Sequence, residues 1–489
     1  MTTRRFPEIP VLVPGAAAGH VSHRASADEL VALGLPAERP ADWHRRAIAR
    51  LGELVDERPQ LRYFLDACVK CGACTDKCHF FLGTGDPKNM PVARQDLLRR
   101  VYRRHFTLAG RLVPWLVGAA DLDEALLDDW YTYFHQCTQC RRCAVFCPLG
   151  IDTAEIAMAA RDVMAHIGIA QSYTAKVIAT ASATGNNIGL PEPVLREALV
   201  GLEEDVAEET GVAVRFPLDD HGADVLVVTP SADFFAEPHV DGLVGYAKVL
   251  HAAGVSWTLS SHASEAASFA MFVGDTARMS EMARRIRDAA ADLGVRRIVV
   301  GECGHAWRVA SQGLEALAGP LDFLDREAPV EHIVEVTHRL VTRGALRLDR
   351  SANDHRRVTY HDSCNVARAS SMGGIPGGQF ELPRAVIRAA CNHFFDMAAH
   401  TIRESTYCCG GGAGLLADDL MALRLQGARP RLEAYRDVVE RHGVTHLATL
   451  CAICKTQLQA VLPEDGHDRE AVVSVHQLVG DAVVLGGRT

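Results

Sequence analysis

The sequence lacks any apolar run near the roughly 20 residues that a membrane-spanning helix needs. Its best candidate, Leu112–Ala120, is short and contains Pro114. A span of its own is therefore not expected, and attachment to a membrane would come through a partner. The start carries Arg4 and Arg5 but no apolar stretch before Pro10, so no secretory signal is expected. A surplus of positive charge is missing as well. Lys and Arg number 51 against 61 Asp and Glu, a net charge of −10, which argues against nucleic-acid binding apart from a local basic stretch at Arg99–Arg104. No G-x-G-x-x-G follows a first strand, which weighs against an intrinsic flavin-dependent dehydrogenase. What remains is an ordinary soluble composition, 48% hydrophobic and 23% charged, in 489 residues. That length is too great for one small core and suggests two or three domains.

Residues 1–41, rich in Pro, Ala and Gly, read as an extended arm that wraps a neighbour. A helical pattern runs from about Asp42 to Leu65, resumes over Pro91–Val117 and Asp121–Phe134, and again over Thr153–His166. Residues 42–170 are thus expected to form a helical domain. Residues 171–219 read as a polar linker. From Ala223 short β-branched strands alternate with helices. The strand candidates are Val225–Thr229, Ser256–Ser260, Arg297–Val300, Arg357–His361 and Thr445–Leu450. Helices are expected at Gly242–Ala252, closed by Gly254, and at Ser280–Leu293, closed by Gly294. This alternation implies α/β units with parallel sheets. A weak repeat relates Arg284–Ala306 to Arg431–Lys455 and puts Cys303 within one residue of the Cys451 position. Residues 220–350 and 351–489 then read as two copies of one module, the first with most of its cysteines lost.

Fifteen cysteines are the richest signal. Tight CxxC spacing without a secretory signal reads as metal or redox chemistry rather than disulfides. Two runs are C-x2-C-x2-C-x3-C: Cys68, Cys71, Cys74, Cys78, and Cys137, Cys140, Cys143, Cys147 followed by Pro148. Three thiolates of such a loop bind three corners of a cubane, and in two-cluster ferredoxins the fourth ligates the other cluster. By that logic Cys68, Cys71, Cys74 and Cys147 hold one [4Fe–4S] cluster, and Cys137, Cys140, Cys143 and Cys78 hold the second. Structural zinc favours two paired CxxC or His ligands instead. His79, where proline would follow Cys78, is expected to cap or to hydrogen-bond sulfur rather than to ligate.

A third array comprises Cys364, Cys408, Cys409, Cys451 and Cys454. Cys364 and Cys451 follow strand candidates, at the carboxyl ends where α/β sheets place active sites. Cys408 and Cys409 open the glycine-rich turn "CCGGGAG". This C…CCG…CxxC pattern resembles the CCG domain of heterodisulfide reductase subunits. The segments "FLDACVKCGACTDKCHFFLGTGDPKNMPVARQDLLR", "DWYTYFHQCTQCRRCAVFCPLGIDTAEIAMAAR" and "YHDSCNVARASSMGG" narrow the likeness to the DsrK family. Those are the HdrD-like iron–sulfur subunits of DsrMKJOP membrane complexes, and the likeness covers about residues 42–489.

The resemblance implies an α+β multidomain fold: a helical two-cluster ferredoxin domain, then two α/β CCG-type modules, the first degenerate. It implies that the five cysteines of the third array bind a non-cubane [4Fe–4S] cluster that makes or breaks sulfur–sulfur bonds. It further implies a heterodisulfide-reductase-like oxidoreductase of sulfur metabolism acting on the disulfide or trisulfide of a DsrC-like carrier. Electrons would pass through a haem b membrane subunit (DsrM-like), with the chain peripheral at the cytoplasmic face of the membrane. Two other readings stand beside it: reduction of small-molecule heterodisulfides, and an electron-wiring subunit without S–S chemistry.

Several residues outside the arrays have two readings each. Cys303 is either a buried core thiol or a group near the substrate sulfur, with His305 as proton donor. Cys391 reads as core. His361 and Asp362 are proton carriers or structural residues at a strand end. Arg368 either offsets cluster charge or pairs with a carboxylate. Arg141, Arg142 and the Arg94–Arg104 stretch read as solvated surface, or as a face for an acidic partner or lipid headgroups.

Overall fold

Apolar residues at helical spacing become helices throughout the first 170 residues of the computed structural model, which describes residues 8–264, 268–371 and 377–486. Arg4, Arg5 and the Met372–Gly374 end of the third quoted segment lie outside the described residues. Trp43–Glu57 buries Ala47, Leu51, Leu54 and Val55 on one stripe. Arg58 leaves the helical conformation and Pro59 opens the next helix, Pro59–Ala67, at its first position. Pro91–Phe106 ends in Arg103 and Arg104, cations that suit a helix C-terminus. Asp123 caps Glu124–His135 through Leu126 N, and Asp152 caps Thr153–His166 through Ala154 N. Thr153–His166 is buried on nearly every side, and its alanines let neighbouring helices approach closely.

Two compact units divide the chain. The first holds residues 1–179, 269–275 and 407–433; the second holds 180–268, 276–406 and 434–489. The N-terminal stretch packs against its own unit. Ala17 N donates to Asp86 Oδ2 at 2.9 Å, and Gln136 Nε2 donates to Ala17 O at 2.8 Å. It also forms a helix, Ala27–Ala32, with a Ser26–Glu29 capping box. Residues 407–433, expected to belong with the last module, cluster with the first unit. Phe80, Phe81 and Cys78 share an apolar cluster with Leu415, Leu420 and Leu423. A Cβ on Gly83 would lie 1.9 Å from Gln426 O, so the backbones there touch directly.

The second unit is α/β. Strands β1 (Val225–Val228), β2 (Trp257–Thr258), β3 (Arg297–Val300) and β4 (Val330–His332) form a parallel sheet in the order β2-β1-β3-β4. Strands β5 (Val358–His361), β6 (His446–Thr449) and β7 (Val472–Ser474) form a second parallel sheet in the order β5-β6-β7. Leu226, Ile298, Tyr360 and Ala448 belong to one apolar core that joins both sheets. Five strands fall on sequence candidates. The short β4 and β7 were not expected, because three residues carry too little periodicity to register. Helix His239–Ala253 ends at Gly254 (φ 66°), and Thr276–Leu293 is followed by Gly294 at φ 68°. The stretch expected as a linker is helical instead, with helices Ser172–Thr184 and Glu192–Thr210. The latter buries Leu195, Leu199 and Val206 at helical spacing. Among the described residues no helix is long and apolar enough to cross a membrane.

Candidate iron–sulfur sites

Both C-x2-C-x2-C-x3-C runs take the same turn. The residue before the second cysteine is left-handed in each, Lys70 at φ 55° and Gln139 at φ 55°. So is the residue after it, Gly72 at φ 80° and Arg141 at φ 59°. Three of these four are not glycine, and each such residue costs of order 1 kcal/mol that the surroundings must offset. The turn directs the first thiols of each run inward. The fourth cysteines leave the loops: Cys78 is the N-cap of helix His79–Thr84, and Cys147 follows Arg142–Val145.

The thiols gather across the two runs. One pocket is lined by Cys68, Cys71, Cys74, Cys143 and Cys147. Burial, with Cys147 and Cys68 nearby, pushes the Cys74 thiol up to about 11. Cys143 is raised by burial and then by Cys137, Asp152 and Cys78, so those three cysteines share a second locus. Burial there would also raise Cys78, but Arg94 and His79 outweigh it and hold that thiol below its ordinary range. None of the fifteen cysteines, all among the described residues, is in a disulfide.

Helix Pro91–Phe106 supplies donors to both loci. Arg94 Nη1 lies 3.8 Å from Cys78 Sγ, Gln95 Nε2 donates to Cys68 Sγ at 3.0 Å, and Arg99 Nη1 donates to Cys68 O at 2.9 Å. The solvated reading therefore fails for Arg94 and Arg99, which are buried, and for Arg141 and Arg142 as well. Arg141 pairs with Asp152 at 2.7 Å, and Arg142 lies 4.0 Å over the Tyr407 ring. Cations belong inside here because clustered thiolates would otherwise repel one another in a low dielectric.

His79 sits between two arrays of the first unit. Its Nδ1 bonds Gly427 O and its Nε2 bonds Thr138 Oγ1, each at 2.9 Å. Ligand atoms of His79, Cys140 and Cys408 all lie within 4.8 Å of one another. Burial lowers the His79 pKa, but Cys408 and Cys78 raise it more, and the net shift is upward. Cys408 and Cys409, both buried, begin a turn with Gly410 at φ 97°, Ala413 at φ 57° and Gly414 at φ 91°. Arg161 ties the turn to the second cysteine run. Its guanidinium donates to the carbonyls of Phe134, His135, Cys137, Phe272 and Ala413.

In the second unit three of the five cysteines lie just past strand ends. Cys364 follows β5, Cys451 follows β6 and Cys303 follows β3. Cys303 and Cys451 are both helix N-caps with matching backbones, φ −129° and ψ 108° against φ −145° and ψ 124°. The two positions meet: a Cβ on Gly304 would lie 3.2 Å from Cys451 Sγ. A hydrogen bond from Cys454 holds the Cys451 thiol well below its usual range; burial opposes this and His305 assists. Cys454 and His305 are buried. Cys391 is buried in the apolar core, where burial pushes its thiol up to about 12.

Asp362 is structural, gripped by Arg384 at 2.8 and 2.7 Å and by Arg403 N at 3.0 Å. Arg368 donates to Glu404 O and Thr406 O. His361 is buried at the end of β5. Sequence reasoning missed a buried trio beside the cysteines. Glu302 forms an ion pair with Lys455 Nζ at 2.6 Å and bonds His476 Nδ1 at 2.7 Å. Burial would raise the Glu302 pKa, but Lys455 and His476 bring it down to about 2. The available signal was a lone acid in "VVGECGHA", directly after an apolar strand.

These donor sets fit iron–sulfur clusters. They are clustered thiols, part-buried to buried apart from exposed Cys71, lined by cations and amide donors that offset negative charge. Comparison with known proteins agrees. The family model "4Fe-4S dicluster domain" matches residues 64–151, and "Cysteine-rich domain" matches residues 358–459. An Hdr-like menaquinol oxidoreductase iron–sulfur subunit from Archaeoglobus profundus is 38% identical, covering 91% of this chain and 84% of its own length. A dihydromethanophenazine:CoB–CoM heterodisulfide reductase component from Methanosarcina acetivorans is 24% identical over 86% of this chain and 95% of its own. An EtfAB:quinone oxidoreductase from Syntrophomonas wolfei is 23% identical over 72% of this chain and 48% of its own. With clustered cysteines in both units and this likeness along almost its whole length, the chain belongs to the HdrD-like family of Hdr-like menaquinol oxidoreductase iron–sulfur subunits.

Proposed function

We propose that this is a DsrK-type catalytic subunit, peripheral at the cytoplasmic face of the membrane. It carries electrons between a quinone-linked haem b subunit and the disulfide or trisulfide of a DsrC-like sulfur carrier. In this reading residues 42–170 are the two-cluster domain, and 220–350 and 351–489 are a degenerate and a complete CCG module. Cys68, Cys71, Cys74 and Cys147 hold one cubane, and Cys137, Cys140, Cys143 and Cys78 hold the other. Cys364, Cys408, Cys409, Cys451 and Cys454 hold a non-cubane cluster. When bound, the clusters supply one-electron transfer and, at the five-cysteine site, a place for sulfur–sulfur chemistry.

The observation that carries the reading is the second-unit arrangement in which Cys303 and Cys451 cap matching helices past parallel strand ends, with Gly304 directly against Cys451 Sγ. Opening a disulfide takes two electrons and two protons and yields two thiols. A trisulfide takes four of each and also releases hydrogen sulfide. The quinol supplies electrons in pairs. In this reading His305 is the proton donor and Cys303, at the position equivalent to Cys451 in the first module, meets the substrate sulfur.

Iron, acid-labile sulfide and EPR of the anaerobic, oxidised protein test this, with and without a persulfidated DsrC-like partner. About 12 irons per chain, with a paramagnetic signal that appears only with the thiol partner and changes in Cys303→Ala, is the expected result. About 8 irons and no partner-dependent signal in fully loaded protein would replace this reading with an electron-wiring subunit. A signal given by small heterodisulfides and not by the carrier would replace it with a small-thiol reductase.

A further inference from the structure

The segment after helix Pro91–Phe106 is an exposed apolar hairpin that no cluster chemistry uses. Two short helices, Leu108–Leu112 and Pro114–Val117, carry Leu108, Leu112, Trp115 and Leu116, which are 74%, 66%, 78% and 75% exposed. Four large apolar side chains this exposed on ten residues form a patch of the kind that marks an interaction site.

The hairpin is built, not frayed. Thr107 caps it through Gly110 N at 3.1 Å. A Cβ on Gly110 would sit 1.9 Å from Arg103 O, so the first short helix lies directly on the end of the long one. Arg103 Nη1 donates to Val117 O at 2.8 Å, Arg111 Nε donates to His105 O at 2.9 Å, and Ala120 N donates to Arg100 O at 3.2 Å. The carbonyls of Arg100, His105 and Val117, costly in hydrocarbon when unpaired, are thus satisfied by the protein itself. Two exposed cations flank the apolar tip. Arg100 and Arg111 are exposed, and Arg104 stands behind them paired with Asp121 at 3.1 Å. On a chain of net charge −10 this is a local reversal of sign.

An apolar tip with an exposed tryptophan, flanked by exposed arginines, is the composition of an element that enters the headgroup layer of a bilayer. We propose that the 107–120 hairpin docks this subunit directly onto an anionic lipid surface. Leu108, Leu112, Trp115 and Leu116 enter the apolar boundary, and Arg100 and Arg111 meet the phosphates. This stands independently of the substrate assigned above.

The test is co-sedimentation of the full-length, cluster-loaded protein with phosphatidylcholine vesicles and with phosphatidylcholine–phosphatidylglycerol vesicles. Trp115 fluorescence is read with bromine-labelled lipid as quencher. The parent should bind the anionic vesicles and be quenched. The Trp115→Ser/Leu116→Ser double variant should lower the bound-to-free ratio about tenfold or more. Arg111→Gln should weaken binding to the anionic vesicles selectively. Val31→Ser, at an exposed apolar residue outside the hairpin, should change nothing. Equal partition of parent and double variant overturns the proposal. So does vesicle binding that is absent in the parent while the double variant loses co-purification with the haem subunit, which would make the hairpin a protein-docking element.

Discussion

Replacing Arg161 should unfasten the second cysteine run from the turn that holds Cys408 and Cys409. Its guanidinium, fully buried, serves carbonyls of Phe134, His135, Cys137, Phe272 and Ala413, and four of these bonds are 2.8 to 3.0 Å long. Arg161→Met leaves those carbonyls in an apolar setting, at about 1–1.5 kcal/mol each. Removing a buried cation recovers several kcal/mol of desolvation, since burial already brings the Arg161 pKa down to about 10. The net loss is about 3 kcal/mol, a large share of the ~5–15 kcal/mol that holds a typical domain folded. Arg161→Lys, with a point donor in place of a planar fork, should lose about 2 kcal/mol. Cys137 O is among the released carbonyls, so Arg161→Met should also lose about four irons per chain, one cluster's worth. Anaerobic denaturant titration read by circular dichroism, with iron analysis on the same samples, measures both. A variant with full iron and a stability within about 0.5 kcal/mol of the parent would refute the reasoning.

The second unit offers further tests. Gly245→Ala should destabilise by more than about 3 kcal/mol, because its Cβ would lie 1.9 Å from His476 O at the crossing with Val475–Ala482. Gly201→Ala, in open space on Glu192–Thr210, should stabilise by about 0.5–1 kcal/mol, both read by thermal unfolding. Lys455→Met strands buried Glu302 and should cost about 3–5 kcal/mol, with much of that recovered in Glu302→Met/Lys455→Met; if the double variant is no better than the single, the pair is not the cause. His332 is buried neutral. Burial, then His476, bring its pKa down to about 3 against the opposing pull of Glu302. Its contribution is complete above the ordinary histidine pKa, and is lost as pH falls from about 6.5 to 3 at roughly 1.4 kcal/mol per pH unit. His332→Asn, which keeps a cap for Val334 N, should flatten that slope in a pH series of denaturant titrations.

Legibility in the sequence followed how local each feature is. The helices of residues 43–166 and five of seven strands were readable because side-chain periodicity is set by neighbours a few residues away. Gly254 and Gly294 marked helix ends because only a residue without Cβ takes the left-handed conformation freely. The helix Glu192–Thr210 was equally readable from Leu195, Leu199 and Val206, yet its acidic surface hid the stripe. Charged residues were the systematic failure. Arg94, Arg99, Arg141 and Arg142 look like surface in a string of letters, and a buried cation differs from a solvated one only in what lies across from it.

The sequence alone determined the chemistry of the donors: two cysteine runs with cubane spacing, a third array with a CCG turn, and strand ends carrying Cys364 and Cys451. It also related Cys303 to Cys451 through the repeat. Tertiary structure decided which thiols share a locus, that residues 407–433 belong with the helical unit, and that Arg161, Gln95 and the Glu302–Lys455–His476 trio stand behind the cysteines. The physical reason is range. Spacing within a loop is written in adjacent residues, whereas burial, desolvation and charge compensation depend on groups up to a few hundred residues away in the chain.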